Sequence, residues 1–180
     1  MSDIFTRAST ANDLRAIKEI YAHHVLNGTG TFETVPPSLD EMQTRRADVL
    51  QKSLPYIVAE RDGQVLGFAY ANWFKPRPAY RFSTEDSVYV APGSMGQGIG
   101  AALMTQLMAL LEARGIRHVM AVIGDSDNTG SINLHRRMGF SHVGTMRGCG
   151  WKFERWLDIV LMERTLGKGT QTAPTDSDAA

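Results

Sequence analysis

Three glycines at alternate positions, in Met95-Gly-Gln-Gly-Ile-Gly100, stand between a β-prone run and a long apolar helical one. The run before them is Glu85-Asp-Ser-Val-Tyr-Val90, closed by Ala91-Pro92-Gly93. After them, Ile99, Leu103, Leu107, Leu110 and Leu111 recur at helical spacing over residues 98–114. Gly115 falls where a left-handed C-terminal cap is wanted, and His118-Val-Met-Ala-Val-Ile123 reads as the next strand. Such a strand–helix–strand unit demands two parallel strands with a right-handed crossover, so this part of the chain is bound to an α/β sheet. Glycines let the backbone approach a ligand closely, and the free N–H groups of a helix start carry partial positive charge. A pyrophosphate suits such a loop. A tight strand-to-helix turn with no ligand is the alternative.

Which phosphate ligand fits is decided by placement. Gly96-x-Gly98-x-x-Ala101 also satisfies the loose dinucleotide fingerprint, and Asp125 lies roughly 20 residues further on, as that motif requires. In a dinucleotide fold, however, the glycines follow the first strand directly and further βαβ units come after. Here a hairpin and another strand precede them, and residues 91–95 intervene. A nucleoside-triphosphate loop fails because Gly-Lys-[Ser/Thr] is missing.

The rest of the chain supplies a sheet for this unit. Residues 4–8 read as a first strand, and Thr10-Ala-Asn-Asp13 as a helix start in which a hydroxyl and a carboxylate satisfy free N–H groups. Leu14, Ile17, Ile20, Tyr21 and Val25 then share one face up to about Leu26. A second, charge-rich helix over 39–51 reads as a surface helix or lid. The runs 56–60 and 65–70 flank Arg-Asp-Gly-Gln, a strong hairpin signal. Pro76 and Pro78 keep the segment 73–82 from being a regular central strand. A short helix over 130–138 ends at Gly139-Phe140, and two strands, 141–146 and 156–164, complete a mixed sheet. The adjacent His23 and His24 read as helix surface, since neighbouring helical residues point apart and no companion ligands stand at metal spacing.

Composition bounds the function. A chain of 180 residues, 43% apolar, is long enough for one domain with its own core, expected over residues 1–166. The small polar stretch 167–180 is expected to be a disordered tail. With 19 basic and 19 acidic residues the net charge is zero, which argues against a nucleic-acid partner. No apolar run is long enough to span a bilayer, the start lacks signal-peptide character, and Cys149 is the only cysteine. A cytoplasmic protein with no membrane partner and no thiolate metal cluster is expected.

Together VYVAPGSMGQGIGAALM and NTGSINLHRRMGF resemble the acyl-CoA-binding core of the GCN5-related N-acetyltransferases (GNAT). The usual loop pattern, Gln/Arg-x-x-Gly-x-Gly/Ala, is met at Gly98 and Gly100 and departed from at Met95, where a polar or basic side chain is usual. AYRFSTEDSVYV and GCGWKFERWLDIVLM are similar to the branch that acetylates phosphinothricin, methionine sulfoximine and methionine sulfone. The resemblance implies a mixed α/β GNAT acyl-CoA N-acyltransferase fold with a central, mostly antiparallel sheet flanked by helices. It also implies acetyl-CoA as co-substrate, no metal, a small-molecule amine as acceptor and a homodimer.

By the same resemblance, backbone groups of Val88, Tyr89 and Val90 hold the acetyl and pantetheine parts, and N–H groups of Gly96, Gln97, Gly98, Ile99, Gly100 and Ala101 hold the diphosphate. Asn128 and Ser131 match a pattern in which Asn contacts the pantetheine arm; both residue types also cap helices. Acyl transfer needs a neutral amine, and Glu85 matches the branch's catalytic glutamate; a solvated strand-end carboxylate is the alternative. Asp86 points to the opposite face if the strand is regular, so only one of the pair is the base; a bulge would reorient them. His135 stands where many relatives place a tyrosine acid for the thiolate, the alternative being a histidine packed at the site rim. Lys75, Arg77 and Arg81 offer cations for the carboxylate and oxygens of an amino-acid analogue, with Phe32 and Tyr80 as apolar walls and Ser87 beside Glu85; a solvated loop is the rival reading for the cations. Lys152, Phe153, Arg155 and Trp156 resemble the branch's C-terminal segment, which shapes the pocket or the subunit contact. A catalytically silent acyl-CoA-binding module, or an enzyme for polyamines, aminoglycosides or protein N-termini, are the competing functions.

Overall fold

A computed structural model describes residues 3–174. Seven strands form one sheet: β1 (Phe5–Ala8), β2 (Tyr56–Arg61), β3 (Gln64–Trp73), β4 (Ser83–Val90), β5 (His118–Gly124), β6 (Ser141–Lys152) and β7 (Arg155–Thr165). Their order is β1-β2-β3-β4-β5-β7-β6, and only β4 and β5 run parallel. Four helices cover it: α1 (Leu14–Asn27), α2 (Leu39–Gln51), α3 (Ile99–Ala113) and α4 (Thr129–Arg137). The mixed, mostly antiparallel sheet expected from sequence is the one present.

Local chemistry explains the element ends. Asp13 accepts from the Thr10 N–H at 2.6 Å and from its hydroxyl at 2.9 Å, fixing the entry to α1. Ser38 caps α2 by accepting from the Glu41 N–H at 3.1 Å. Asp62 and Gly63 both take positive φ, the geometry a two-residue hairpin turn needs. Leu103, Met104, Leu107, Met108 and Leu111 of α3 are buried against the sheet, each worth about 1.5–3 kcal/mol of burial. The charge-rich α2 is largely exposed, yet Met42 and Val49 anchor it in the same core.

Three departures from the sequence reading matter for the site. β3 continues to Trp73, three residues past the strand read from sequence, and the proline-broken connection is residues 74–82, with one 3₁₀ turn, Pro78–Tyr80. β6 does not stop at residue 146: it passes an irregularity between Met146 and Gly150 and runs on to Lys152. A two-residue turn with both Phe153 and Glu154 at positive φ then returns the chain into β7. Beyond Leu166, residues 167–170 form turns, with the Gly169 N–H bonded to Leu166 O at 3.0 Å. The last six residues of the segment expected to be a disordered tail lie outside the described ones. Among the described residues no helix is long and apolar enough to cross a membrane.

The decisive feature is where the one parallel pairing stops. β4 and β5 are paired only at Ser83↔His118, Thr84↔Val119 and Glu85↔Met120. Beyond that point β4 continues for five residues and stays bonded to β3 alone. The two strands therefore diverge and leave a gap floored by neither ladder.

Candidate active site

The β3–β4 ladder has no register shift, so side chains alternate cleanly along β4. Glu85, Ser87 and Tyr89 share one face, the side on which α1 packs, where Tyr89 meets Tyr21 with ring centroids 5.0 Å apart. Thr84, Asp86, Val88 and Val90 share the other, toward α4. Backbone polarity alternates as well. The Ala91 N–H donates to Leu66 O at 2.8 Å, toward β3, so the Val90 carbonyl points the opposite way, into the gap. By the same alternation the N–H and C=O of Val88 face the gap and lack a β5 partner.

Glu85 is half-buried beside that gap. Burial, reinforced by the charge of Asp86 and opposed by Lys75, raises its pKa above the ordinary carboxylate value. Tyr70, opposite Ser87 on β3, is pushed up by burial while a Ser87 hydrogen bond opposes the shift; the charges of Arg45, Glu85 and Glu33 also act on it. Glu33 accepts from the Tyr21 hydroxyl at 2.8 Å and from Arg45 at 2.6 Å. Tyr21, its phenol pushed up to about 12 chiefly by burial, stays a neutral donor.

Asp86 and His135 form a buried pair on the opposite face, Nε2 to Oδ2 at 3.0 Å, with 1% and 3% of their side chains exposed. His135 Nδ1 lies 2.8 Å from Ser131 O. Both ring nitrogens thus face acceptors, and the pair must hold a proton between Nε2 and Oδ2 as well as one on Nδ1. Burial opposes a charged imidazole; the hydrogen bond and charge of Asp86 outweigh it and raise the His135 pKa.

The loop into α3 has Gly96 at φ +77° and Gly98 at φ +86°, with Gly98 as the N-cap. No side chain caps this end, so the first N–H groups of α3 remain available to a ligand. A Cβ built on Gly96 meets nothing within 4 Å, which leaves open approach to the loop. These residues fit a diphosphate, and the free edge of β4 fits an extended amide-bearing arm.

Residues 6–161 match the family described as an acetyltransferase (GNAT) domain. The chain belongs to the GNAT acetyltransferases. It is 52% identical over 163 residues to a phosphinothricin N-acetyltransferase of Alcaligenes faecalis, covering 91% of this chain and 83% of that protein. It is 38% identical to an L-methionine sulfoximine/L-methionine sulfone acetyltransferase of Pseudomonas aeruginosa, over 90% of this chain and 94% of that one. A GNAT phosphinothricin acetyltransferase from Sinorhizobium meliloti, solved in complex with acetyl-CoA, superposes with a TM-score of 0.94 at 45% identity, covering 98% and 95% of the two chains. Acetyl-CoA is the co-substrate of this N-acetyltransferase, and the branch resemblance read from sequence is the one found.

Within that family frame, the remaining site residues fall into distinct groups. Gln97 turns its side chain to Gly93 O and to Arg61, leaving its backbone in the loop. Gly100 is where α4 approaches: its Cβ would stand 3.0 Å from Leu134. Ile99 is buried in the core. Asn128 caps α4, accepting from the Ser131 N–H at 3.3 Å, while its amide donates to Gly124 O at 3.3 Å. Of the three cations on the β3–β4 connection, Lys75 is the one whose charge acts on Glu85. Arg77 opens the 3₁₀ turn, Tyr80 packs edge-on against Phe74, and the Arg81 guanidinium lies over Phe82 at 4.5 Å. The Phe32 ring lies against Gly124 at the end of β5 and Gly150 in β6.

Several residues here carry no sequence signal. Glu33, Arg45 and Tyr21 come together across a helix and a loop with no recognisable spacing. His24 corrects the surface reading given to it: Nε2 donates to the gap-facing Val90 carbonyl at 2.8 Å. Burial, the first cause, lowers its pKa, so the ring is held neutral. Among the described residues no group of His, Cys, Asp and Glu is placed to hold a metal ion.

Proposed function

We propose that the protein acetylates the α-amino group of a small amino acid or analogue of the methionine sulfoximine, methionine sulfone or phosphinothricin type, by direct transfer with Glu85 as general base. The observation that carries this reading is a desolvated carboxylate, Glu85, standing where the β4–β5 pairing ends. When bound, acetyl-CoA supplies a thioester carbonyl as electrophile and a thiolate as leaving group. Glu85, directly or through a water, removes the ammonium proton of the acceptor. Val88, its N–H free of any strand partner, donates to oxygen placed in the gap and stabilises the charge that develops there. Val88 and Val90 offer their remaining backbone groups to an amide arm, and residues 96–101 donate N–H groups to a diphosphate. Lys75, the cation whose field reaches Glu85, supports an acceptor that carries a carboxylate. For His135, the engagement of both nitrogens favours the packed histidine over the thiolate acid. The same reading places the enzyme in the cytoplasm.

The test is thiol release with acetyl-CoA and a panel of amines. Turnover is expected with methionine sulfoximine, methionine sulfone or phosphinothricin well above that with spermidine or an aminoglycoside. Equal rates for polycationic amines would overturn the substrate assignment, and no turnover with any amine would favour a silent binding module.

A homodimer belongs to this reading as well. On the edge strand β6 and the β6–β7 hairpin, Val143, Met146, Trp151, Phe153 and Trp156 are exposed, Trp156 at 65%. An apolar surface of this kind is what a second copy covers. Light scattering is expected to give twice the 19.9 kDa of one chain.

A further inference from the structure

Lys152 ends β6 at a hairpin tip whose neighbours Trp151 and Phe153 are exposed, yet its own side chain is only 4% exposed. It turns inward. Nζ donates to Gly28 O at 2.7 Å and to Thr31 O at 2.8 Å, and lies 4.9 Å from the Phe153 ring centroid. Both hydrogen bonds go to the ends of one loop more than a hundred residues away in the chain. A buried lysine that directs its hydrogen bonds to two backbone carbonyls, with no carboxylate in ion-pair contact among the described residues and only the more distant charge of Glu33 acting on it, is holding backbone in place.

The loop it holds follows α1 and is seated with very little clearance. A Cβ on Gly124, at the end of β5, would stand 2.0 Å from Thr29 O and 2.9 Å from the Phe32 ring. A Cβ on Gly150, in β6, would stand 2.1 Å from the same ring. Phe32 therefore lies in a slot that exists only because both positions are glycine. Beyond it, Thr31 Oγ1 meets the Tyr21 hydroxyl at 3.0 Å and accepts from the Glu33 N–H at 3.3 Å. Gly30 faces Asn128 of α4, whose amide a Cβ there would meet at 3.8 Å. One short segment thus touches the cap of α4, the floor of the sheet and the Tyr21–Glu33 network.

We propose that Lys152 is a positioning residue for the acceptor site: it clamps residues 28–31 so that Phe32 and Glu33 present a fixed wall to the amine substrate. The inference rests on the reading of Phe32 as part of the acceptor pocket. Lys152 touches no reacting atom. It sets the shape the acceptor meets, and through Phe32 it contributes to which side chain the enzyme accepts.

The test uses the full chain with Lys152→Met, which keeps the apolar stem and removes every donor. The expected result is a KM for the amine raised about 10-fold or more, the scale of one lost charged hydrogen bond, with kcat and the acetyl-CoA KM within about two-fold of wild type. Amide exchange over residues 28–33 is expected to accelerate, and this second readout needs no turnover. Gly150→Ala, which displaces Phe32 while leaving Lys152 in place, is expected to reproduce the selective rise in amine KM. If Lys152→Met does not fold, Lys152→Leu, which also lacks a donor, carries the same measurements. An unchanged amine KM with unchanged exchange overturns the proposal, as does a uniform loss in kcat and both KM values. Failure of wild type to use any amine would instead sink the functional reading, with the exchange measurement still deciding the clamp.

Discussion

Replacing Glu85 by Gln is expected to lower kcat at neutral pH by about 10²- to 10⁴-fold while acetyl-CoA still binds. The amide is nearly isosteric, so β4 and its gap-facing backbone keep their geometry and only the proton acceptor is lost. Calorimetry separates the two quantities, giving retained binding beside lost turnover. The pH profile adds a second signature. Burial, and after it the charge of Asp86, raises the pKa of Glu85. A base must be deprotonated to act, so wild-type kcat/KM rises with pH through a value above the ordinary carboxylate range. In Glu85→Gln that limb disappears. Undiminished turnover at neutral pH would remove Glu85 from the mechanism.

Its neighbour is expected to behave in the opposite manner. Asp86→Asn breaks a buried ion pair and leaves His135 without its counter-charge, a loss of about 3–5 kcal/mol in unfolding free energy. The pH dependence follows from the sign of the His135 shift. Its folded pKa is raised, so the pair's contribution is fully present below the unfolded value near 6.5 and fades as pH rises through the folded one. Wild type is therefore expected to lose stability as pH rises from about 6.5 through that window, and Asp86→Asn to show a flatter profile from a lower start. Denaturant unfolding at several pH values measures both. A variant as stable as wild type, with the same slope against pH, would show that the pair contributes nothing.

These two adjacent carboxylates also show how much was legible in the chain. Strand alternation alone assigns Glu85 and Asp86 to opposite faces, and the unbroken β3–β4 register bears that out. It does not say what each face meets, because His135 comes from a helix 49 residues later. The unit from Glu85 to Ile123 was readable because its glycines, apolar spacing and cap lie within one stretch. β6 was readable only as far as residue 146: Gly148 and Gly150 beyond it have no β-propensity, and the strand continues there because β7 supplies its partner. Gly150 is small because Phe32 occupies the space a side chain would need. The Glu33–Arg45–Tyr21 cluster, the inward turn of Lys152 and the contact of His24 with Val90 arise from packing between distant segments, and no local pattern records them.

The brief parallel pairing at the centre of the sheet has a mechanical consequence. Strands β1 to β4 make one plate and β5 to β7 another, each zipped along most of its length, while the two are stitched together over only three residue pairs. Prising the plates apart at the open end of that seam breaks no ladder in either of them. The molecule can thus flex most cheaply along the line where, on the proposed reading, a spent carrier leaves and a fresh one enters.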